Sequence, residues 1–198
     1  MNTSLMMPYL ISSPWIDADH PAVAAKAGEL RTNALDESDL VRRCFEFVRD
    51  QIRHSGDEMS GPVTCKASDV LLHGTGYCYA KSHLLAALLR ANGVHAGLCY
   101  QRLTISDTGD DPCCLHGLNA VHLQAHGWYW LDPRGNKPGI RAMFTPPDEA
   151  LAFQIRDPQE RDLPGIWAEP WPVVVQTLTT QPTVQAVMAN LPDVPDLV

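Results

Sequence analysis

Clusters of basic residues are missing from this sequence, whose longest run of Lys or Arg is the pair Arg42-Arg43. Its 15 Lys and Arg stand against 23 Asp and Glu, which gives a formal net charge of −8. Proteins that bind nucleic acids or anionic membranes through charge carry the opposite balance. We therefore expect no nucleic-acid or membrane partner, and instead a peptide, a protein or a small amide as substrate.

The sequence also has no long apolar run near its start. Residues Met1–Trp15 contain no Lys or Arg, and their apolar stretch Leu5–Ile11 is short and interrupted by Pro8. A signal peptide needs a basic segment before its apolar segment, and a membrane-spanning helix needs about 20 apolar residues. These features predict a cytoplasmic protein.

Signatures of disulfides and metal sites are weak. None of the six cysteines forms a C-x₂-C pair, and no acidic loop resembles a calcium site. Disulfide frameworks belong to short secreted chains, so we expect mostly free thiols and no cofactor. A zinc site remains an alternative because four soft ligands lie within ten residues of one another: Cys113, Cys114, His116 and His122.

A length of 198 residues, 45% of them hydrophobic, suits one folded domain with a proper core. We expect residues 1–198 to form that domain. Its parts would be a helical segment at 20–54, the core motifs at 67–136 and a Pro-rich extension at 146–198.

Periodicity divides the chain into helices and strands. Leu40, Cys44 and Val48 recur every four residues, which is the stripe of an amphipathic helix. The Ala- and Leu-rich run 78–93 has no Pro or β-branched residue and ends in Asn92-Gly93, which predicts a central buried helix. The other predictions are helices at 22–35, 36–54, 67–72, 148–155 and 183–190, strands at 94–104, 118–124 and 128–132, and a loose tail at 191–198.

Cys78 is the candidate nucleophile. It follows Gly74-Thr75-Gly76 and begins the predicted buried helix, where unpaired backbone N–H groups and the helix dipole favour negative charge. Such a position stabilises a thiolate, and the same N–H groups can hold the oxyanion of a tetrahedral intermediate. The alternative is that Cys78 is a small buried hydrophobic residue, as most free cysteines are.

A histidine and a carboxylate on neighbouring strands can complete a catalytic set. The predicted hairpin contains His116 and His122 on its first arm and ends in Asp132 on its second. A carboxylate placed there can orient an imidazole that faces Cys78. The two histidines are six residues apart, so alternation along a strand puts both on the same side and leaves the choice open.

The order of these motifs resembles the transglutaminase-like superfamily. They are a Gly-Tyr-Cys start to an Ala/Leu-rich helix ending Leu-Leu-Arg-Ala-Asn-Gly, a strand beginning with His, and a hairpin with Trp that ends in Asp-Pro. The resemblance covers residues 67–136. It implies an α+β fold with a papain-like core, in which the Cys-bearing helix packs on an antiparallel β-sheet. It also implies thiol acyl chemistry like that of cross-linking acyltransferases, peptidases, deamidases and peptide N-glycanases, without fixing the substrate.

The resemblance also favours one of the two histidines. The family places its histidine about sixteen residues before the Asp-Pro, which is the separation of His116 from Asp132. Cys78, His116 and Asp132 are therefore the implied triad of a cysteine peptidase, a deamidase or an acyltransferase. Arg134 follows the Asp-Pro where the family commonly has Thr, which implies a different recognition of substrate.

Four further residues and one alternative function complete the predictions. Tyr79 and Gln101 are candidate substrate-binding residues, although a solvated strand glutamine is the simpler interpretation of Gln101. Lys81 is interpreted as a surface lysine, and His54 as a partner of the C-terminal dipole of helix 36–54. The alternative to an enzyme is a non-catalytic peptide-binding module on the same scaffold, and the complete set of Cys, His and Asp counts against it.

Overall fold

The computed structural model describes residues 3–105 and 112–194. Its helices are α1 (Thr3–Met6), α2 (Pro21–Arg31), α3 (Glu37–Gln51), α4 (Ser55–Glu58), α5 (Ala67–His73), α6 (Cys78–Ala91), α7 (Pro172–Thr180) and α8 (Val184–Ala189). Its strands are β1 (Arg53–His54), β2 (Thr75–Gly76), β3 (Ala96–Thr104), β4 (Cys113–Leu123), β5 (Gly127–Leu131), β6 (Met143–Thr145), β7 (Asp148–Ala150) and β8 (Arg161–Asp162).

The helix that begins at Cys78 lies at the centre of the fold. Every residue of α6 from Cys78 to Arg90 is buried, because its small and flexible side chains let other elements approach on all sides. Helices α2, α3 and α5 pack against it, as do strands β3 and β4. Gly93 then takes a left-handed conformation (φ 77°) and turns the chain toward β3.

The main sheet has the strand order β5-β4-β3-β8, and all neighbouring strands are antiparallel. β4 pairs with β3 from Cys113 to Val121, whereas β5 pairs with β4 only from Asn119 to Leu123. The first half of β4 therefore has an edge that β5 does not cover. The predicted α+β fold, with the Cys-bearing helix packed on an antiparallel sheet, is confirmed.

The predicted helix at 148–155 is wrong. Residues Asp148–Ala150 form strand β7, which pairs with β6, and Thr145 lies opposite Asp148 across the turn. The turn residues Pro146-Pro147 bring the chain back on itself, so pairing with β6 overrides the weak local preference for helix. A helix that the sequence did not predict, α7, begins at Pro172 and buries Val174 and Leu178.

The predicted loose tail is also wrong for residues 191–194. Leu191 and Val194 pack against the core, and the N–H of Leu115 donates to the carbonyl of Pro192 at 2.7 Å. The guanidinium of Arg102 binds the carboxylate of Asp193 through two bonds of 2.7 Å. The chain from 191 to 194 thus runs along the edge of β4 that β5 leaves uncovered, while 195–198 lie outside the described residues.

In residues 3–105 and 112–194, no helix has both the length and the apolar character to cross a membrane.

Candidate active site

Cys78 lies where the start of α6 meets the uncovered edge of β4. Tyr77 before it has extended backbone angles, so the chain turns into the helix at Cys78 itself. The N–H of Gly117 on β4 donates to the Cys78 sulfur at 3.5 Å. The first N–H groups of a helix have no intrahelical partners, so the sulfur lies among backbone donors that favour a negative charge.

The close approach of α6 to β4 depends on Gly117. A Cβ atom at this position would lie 2.9 Å from Cδ1 of Tyr79 and 3.0 Å from its Cα. The Tyr79 hydroxyl donates to the carbonyl of Leu115 on the same strand. Tyr79, predicted to bind substrate, does line the cleft, but its hydroxyl is committed to fastening the first turn of α6 to β4.

His116 lies between Cys78 and Asp132. Its Nε2 is 2.7 Å from Oδ2 of Asp132, and the ring is close enough to the Cys78 sulfur for the two groups to interact. Burial alone would lower the pKa of His116, but the Asp132 carboxylate and the Cys78 sulfur outweigh it and raise this pKa to about 10. The imidazole is therefore held as an imidazolium at neutral pH.

Asp132 follows the end of β5 and is fully buried. Besides His116, its carboxylate accepts from the N–H of Arg134 at 3.0 Å and from the N–H of Ala152 at 3.3 Å. Burial works to raise its pKa, yet the charge and hydrogen bond of His116 lower it overall. Asp132 is thus a buried anion with hydrogen-bond donors on both oxygens, as a buried charge requires.

These side chains open into a cleft of about 660 Å³, a volume typical of ligand sites. Part of its lining is apolar and comes from the end of β3 and from the C-terminal segment: Leu103, Ile105, Met188 and Leu191. The charged lining includes Arg156, Asp157 and Glu160, which come from the segment before β8. It also includes residues of α4, β1 and the loop after β5: His54, Asp57, Arg134 and Lys137. We call these last four residues the Asp57 cluster.

The Asp57 cluster is held together by ion pairs. Both terminal nitrogens of Arg134 lie 2.8 Å from the Asp57 carboxylate, and Nζ of Lys137 lies 2.5 Å from it. Nδ1 of His54 lies 3.6 Å from Asp57 and has no hydrogen-bond partner among the residues that the structure describes. Burial and the nearby Arg134 lower the pKa of His54 to about 3, so this ring is neutral. His54 was predicted to interact with the C-terminal dipole of helix 36–54, whereas the structure places it in the lining of the cleft.

Lys81 was predicted to be a surface lysine, and this prediction is wrong because the residue is fully buried. Its Nζ donates to the carbonyl of Ile52 at 2.5 Å and to that of Arg49 at 3.3 Å. These carbonyls lie at the C-terminal end of α3, where helix carbonyls lack partners. Burial, with Arg134, lowers the pKa of Lys81 to about 7. The residue joins α3 to the underside of the site rather than contacting a substrate.

The simpler interpretation of Gln101 was a solvated strand residue. This interpretation is wrong, because Gln101 is 1% exposed. It lies directly opposite His116 on the neighbouring strand. Its Nε2 donates to Asp162 at 2.8 Å and to the carbonyl of Phe153 at 3.4 Å. Phe153 in turn packs edge-on against the His116 ring at 4.9 Å. Gln101 therefore contacts the residues behind the site, and it is not among those that line the cleft.

The residues of the zinc alternative do not converge. His122 lies against His95 and Trp128, six residues along β4 from His116, whereas an extended strand rises about 3.3 Å per residue. Cys113 and Cys114 are neighbours on a strand, so they face opposite sides of the sheet. Within residues 3–105 and 112–194, no three His, Cys, Asp or Glu side chains are grouped so that they could hold a metal ion.

Sequence reasoning missed two residues of the site. Asp57 was not singled out, and it meets Arg134 across 77 positions of sequence. Phe153 fell in the segment predicted to be helical, yet it touches both the His116 ring and, at 5.7 Å, the Arg134 guanidinium. The sequence did give one signal for this part of the site: Arg134 follows Asp-Pro at a position where the family commonly has Thr.

The chain is similar in sequence to one protein family and in fold to two solved structures. The profile of the Transglutaminase-like superfamily matches residues 24–133. No curated protein matches the sequence. A solved structure of a candidate cysteine protease from Cytophaga hutchinsonii is similar at 16% identity and a TM-score of 0.52, covering 65% of this chain and 42% of that one. The periplasmic domain of TgpA from Pseudomonas aeruginosa is similar at 18% identity and a TM-score of 0.51, covering 67% of this chain and 48% of that one.

This chain corresponds to less than half the length of either solved structure. At such low identity the two structures support the fold and not a shared substrate. The family profile, however, extends over more than half of the chain and includes Cys78, His116 and Asp132. This chain belongs to the transglutaminase-like superfamily.

Proposed function

We propose that this chain is a thiol-dependent hydrolase or acyltransferase that acts on amides or esters, with Cys78 as nucleophile, His116 as acid and base, and Asp132 as the group that orients His116. One observation carries the proposal: the buried His116 ring bonds to the Asp132 carboxylate at 2.7 Å and lies close enough to the Cys78 sulfur for the two groups to interact. A nucleophile, a base and a third group that orients the base are the shared logic of covalent acyl transfer.

The reaction begins from a thiolate and an imidazolium. The Cys78 sulfur attacks the carbonyl carbon, and the oxyanion that forms is stabilised by backbone N–H groups at the start of α6. His116 gives its proton to the leaving amine or alcohol as the carbon–nitrogen or carbon–oxygen bond breaks, which leaves a thioester on Cys78. His116 then takes a proton from water, or from an amine, as that molecule attacks the thioester and frees Cys78.

Hydrolysis is the favoured outcome, and a peptide or protein is the favoured substrate. The cleft of about 660 Å³ accommodates a few residues of an extended chain. A solved structure of similar fold is described as a candidate cysteine protease, which agrees with hydrolysis of a peptide. A single domain over 1–198 and a cytoplasmic location are parts of this proposal. The single domain is supported by the larger of two core clusters, which draws residues from Ile16 to Val187.

The test is alkylation of the native protein by iodoacetamide from about pH 5 to 9, with each cysteine followed by mass spectrometry. We expect Cys78 to react far faster than the rest at low pH, and His116→Ala, but not His122→Ala, to abolish that preference. The protein supplies internal controls, because burial raises the pKa of four other thiols to about 12: Cys44, Cys65, Cys99 and Cys114. An inert Cys78 in every variant would overturn the enzyme and favour a peptide-binding module.

A further inference from the structure

The Asp57 cluster holds two cations on one anion. Arg134 and Lys137 both bind the Asp57 carboxylate. Burial would raise the pKa of Asp57, but its bonds to Arg134 and Lys137 hold that pKa at about 2, so the carboxylate stays ionised. His54 beside it is neutral, as its lowered pKa shows. The cluster therefore keeps one positive charge in a protein whose formal net charge is −8.

That charge faces the cleft, whose lining also contains Arg156, Asp157 and Glu160. The Glu160 carboxylate already accepts hydrogen bonds from Thr104 and from the N–H groups of Arg156 and Asp157. All members of the cluster line the cleft, and the side chain of Lys137 is 42% exposed. An ammonium group has three donors, and one bond to Asp57 leaves the others for a second anion. The side chain of Arg134 is 9% exposed and fixed by two bonds to Asp57, so it contributes a positive potential from a fixed position.

The cluster also lies close to the reacting groups. The Phe153 ring packs against the His116 ring, at 4.9 Å between ring centroids, and against the Arg134 guanidinium, at 5.7 Å from the ring centroid. One aromatic ring thus contacts both the catalytic histidine and the cationic wall that Arg134 and Lys137 form. Since an extended peptide advances about 3.3 Å per residue, a group on the cationic wall belongs to a substrate residue near the reacting amide.

We propose that Arg134 and Lys137 form an anion subsite that binds a substrate carboxylate two or three residues from the amide attacked by Cys78. This inference rests on the proposed function and gives it a substrate class, namely peptides with an acidic group near the reacting bond. Asp57 is a positioning residue, because it binds both cations at the cleft wall.

Two sources can supply such a carboxylate: an Asp or Glu side chain, or the C-terminal carboxylate of a peptide. Both present the same anion to Lys137 and differ in where the chain ends. Matched peptides separate them. One pair exchanges Glu for Gln at each position around the reacting amide, and the other exchanges a C-terminal acid for a C-terminal amide.

The experiment measures kcat/KM for these pairs on the full chain and on three variants. For the full chain we expect the anionic member to be favoured by roughly fivefold or more, the scale of a partly exposed ion pair. Lys137→Gln is expected to remove the preference, and Lys137→Glu to favour the neutral member. Lys66→Glu is the matched control: it makes the same change of net charge at an exposed residue that does not line the cleft, and it should keep the preference.

Each failure has a distinct meaning. A full chain that turns over no amide or ester peptide overturns the proposed function and this inference with it. Turnover with equal kcat/KM for both members of every pair leaves the proposed function standing and overturns the anion subsite. A preference that survives Lys137→Glu means that another group binds the carboxylate, and it overturns the subsite. A preference that Lys66→Glu also removes is a general effect of net charge, and it overturns the subsite as well. Thermal unfolding of each variant establishes that it is folded.

Discussion

Nε2 of His116 and Oδ2 of Asp132 lie 2.7 Å apart although sixteen residues separate them in sequence. Both residues are buried, with exposures of 5% and 0%, so water does not compete for the bond. The hairpin of β4 and β5 brings them together. Asn119 on β4 lies opposite Leu131 on β5, His116 lies three residues before Asn119, and Asp132 directly follows Leu131. The orientation of His116 toward Cys78 therefore depends on the register of one hairpin.

The first prediction concerns the charge of Asp132. Asp132→Asn keeps the shape of the side chain but removes the anion that raises the pKa of His116. We expect kcat/KM to fall by up to about 10⁴-fold, the scale of the loss in kcat when the carboxylate of a serine-protease triad is replaced by an amide. The low-pH alkylation of Cys78 should weaken in parallel. Asp50→Asn, at a half-exposed side chain paired with Arg49, is the control and should change neither measurement.

The second prediction is the pH dependence of stability that follows from His116. Its folded-state pKa of about 10 lies above the unfolded value near 6.5, so its contribution is fully present below about pH 6.5 and is lost as pH rises toward 10. Asp132 has a lowered pKa, so its contribution to the free energy of unfolding is lost as pH falls through that pKa.

Urea unfolding of the wild type and of His116→Gln at pH 7 and pH 10 measures this effect. We expect the difference in unfolding free energy between the two proteins to shrink from pH 7 to pH 10. A difference that stays constant would mean that His116 is neutral at pH 7, and the thiolate–imidazolium starting state would then be wrong.

The third prediction concerns Lys81, whose folded-state pKa of about 7 lies below the ordinary lysine value. Between pH 7 and about 10.5 the unfolded chain binds more protons at this residue than the folded chain, so its contribution to stability improves as pH rises. Lys81→Met has no such titration and leaves the carbonyls of Arg49 and Ile52 without their donor.

The cost of Lys81→Met in unfolding free energy should therefore be larger at pH 9.5 than at pH 7. Urea unfolding at both pH values checks this, and Lys66→Met, at an exposed residue, should show no pH-dependent cost. A pH-independent cost for Lys81→Met would mean that the buried amine does not titrate in this range.

Local sequence was sufficient for the elements whose residues decide their own conformation. The Ala- and Leu-rich run from Cys78 predicted the central helix. Short runs with β-branched or aromatic residues on either side of a short turn predicted the β4–β5 hairpin, although β4 begins at Cys113 and not at the predicted residue 118. Burial of Lys81 could not be predicted, because the carbonyls that it binds come from α3, 29 and 32 residues away. The Asp57–Arg134 pair spans 77 residues, and periodicity carries no information at that range. The segment 148–150 became a strand only because β6 pairs with it.

The fourth prediction compares two glycines that differ in the space around them. Gly117→Ala places a Cβ 2.9 Å from the Tyr79 ring and 3.0 Å from its backbone, so the start of α6 must move away from β4. We expect a loss of stability of about 1–3 kcal/mol, the usual cost of overpacking a core. We also expect a fall in Cys78 alkylation at low pH, because the N–H of Gly117 that donates to the sulfur shifts with the strand.

Gly28→Ala is the matched control. Gly28 lies within helix α2, and no atom lies within 4 Å of an added Cβ, so this change should raise stability by about 1 kcal/mol through helix propensity alone. Chemical unfolding and cysteine-resolved alkylation of both variants make the comparison. If Gly117→Ala left both quantities unchanged while Gly28→Ala behaved as expected, the tight contact between α6 and β4 would not be what positions Cys78, and the donor from Gly117 would have no part in stabilising its thiolate.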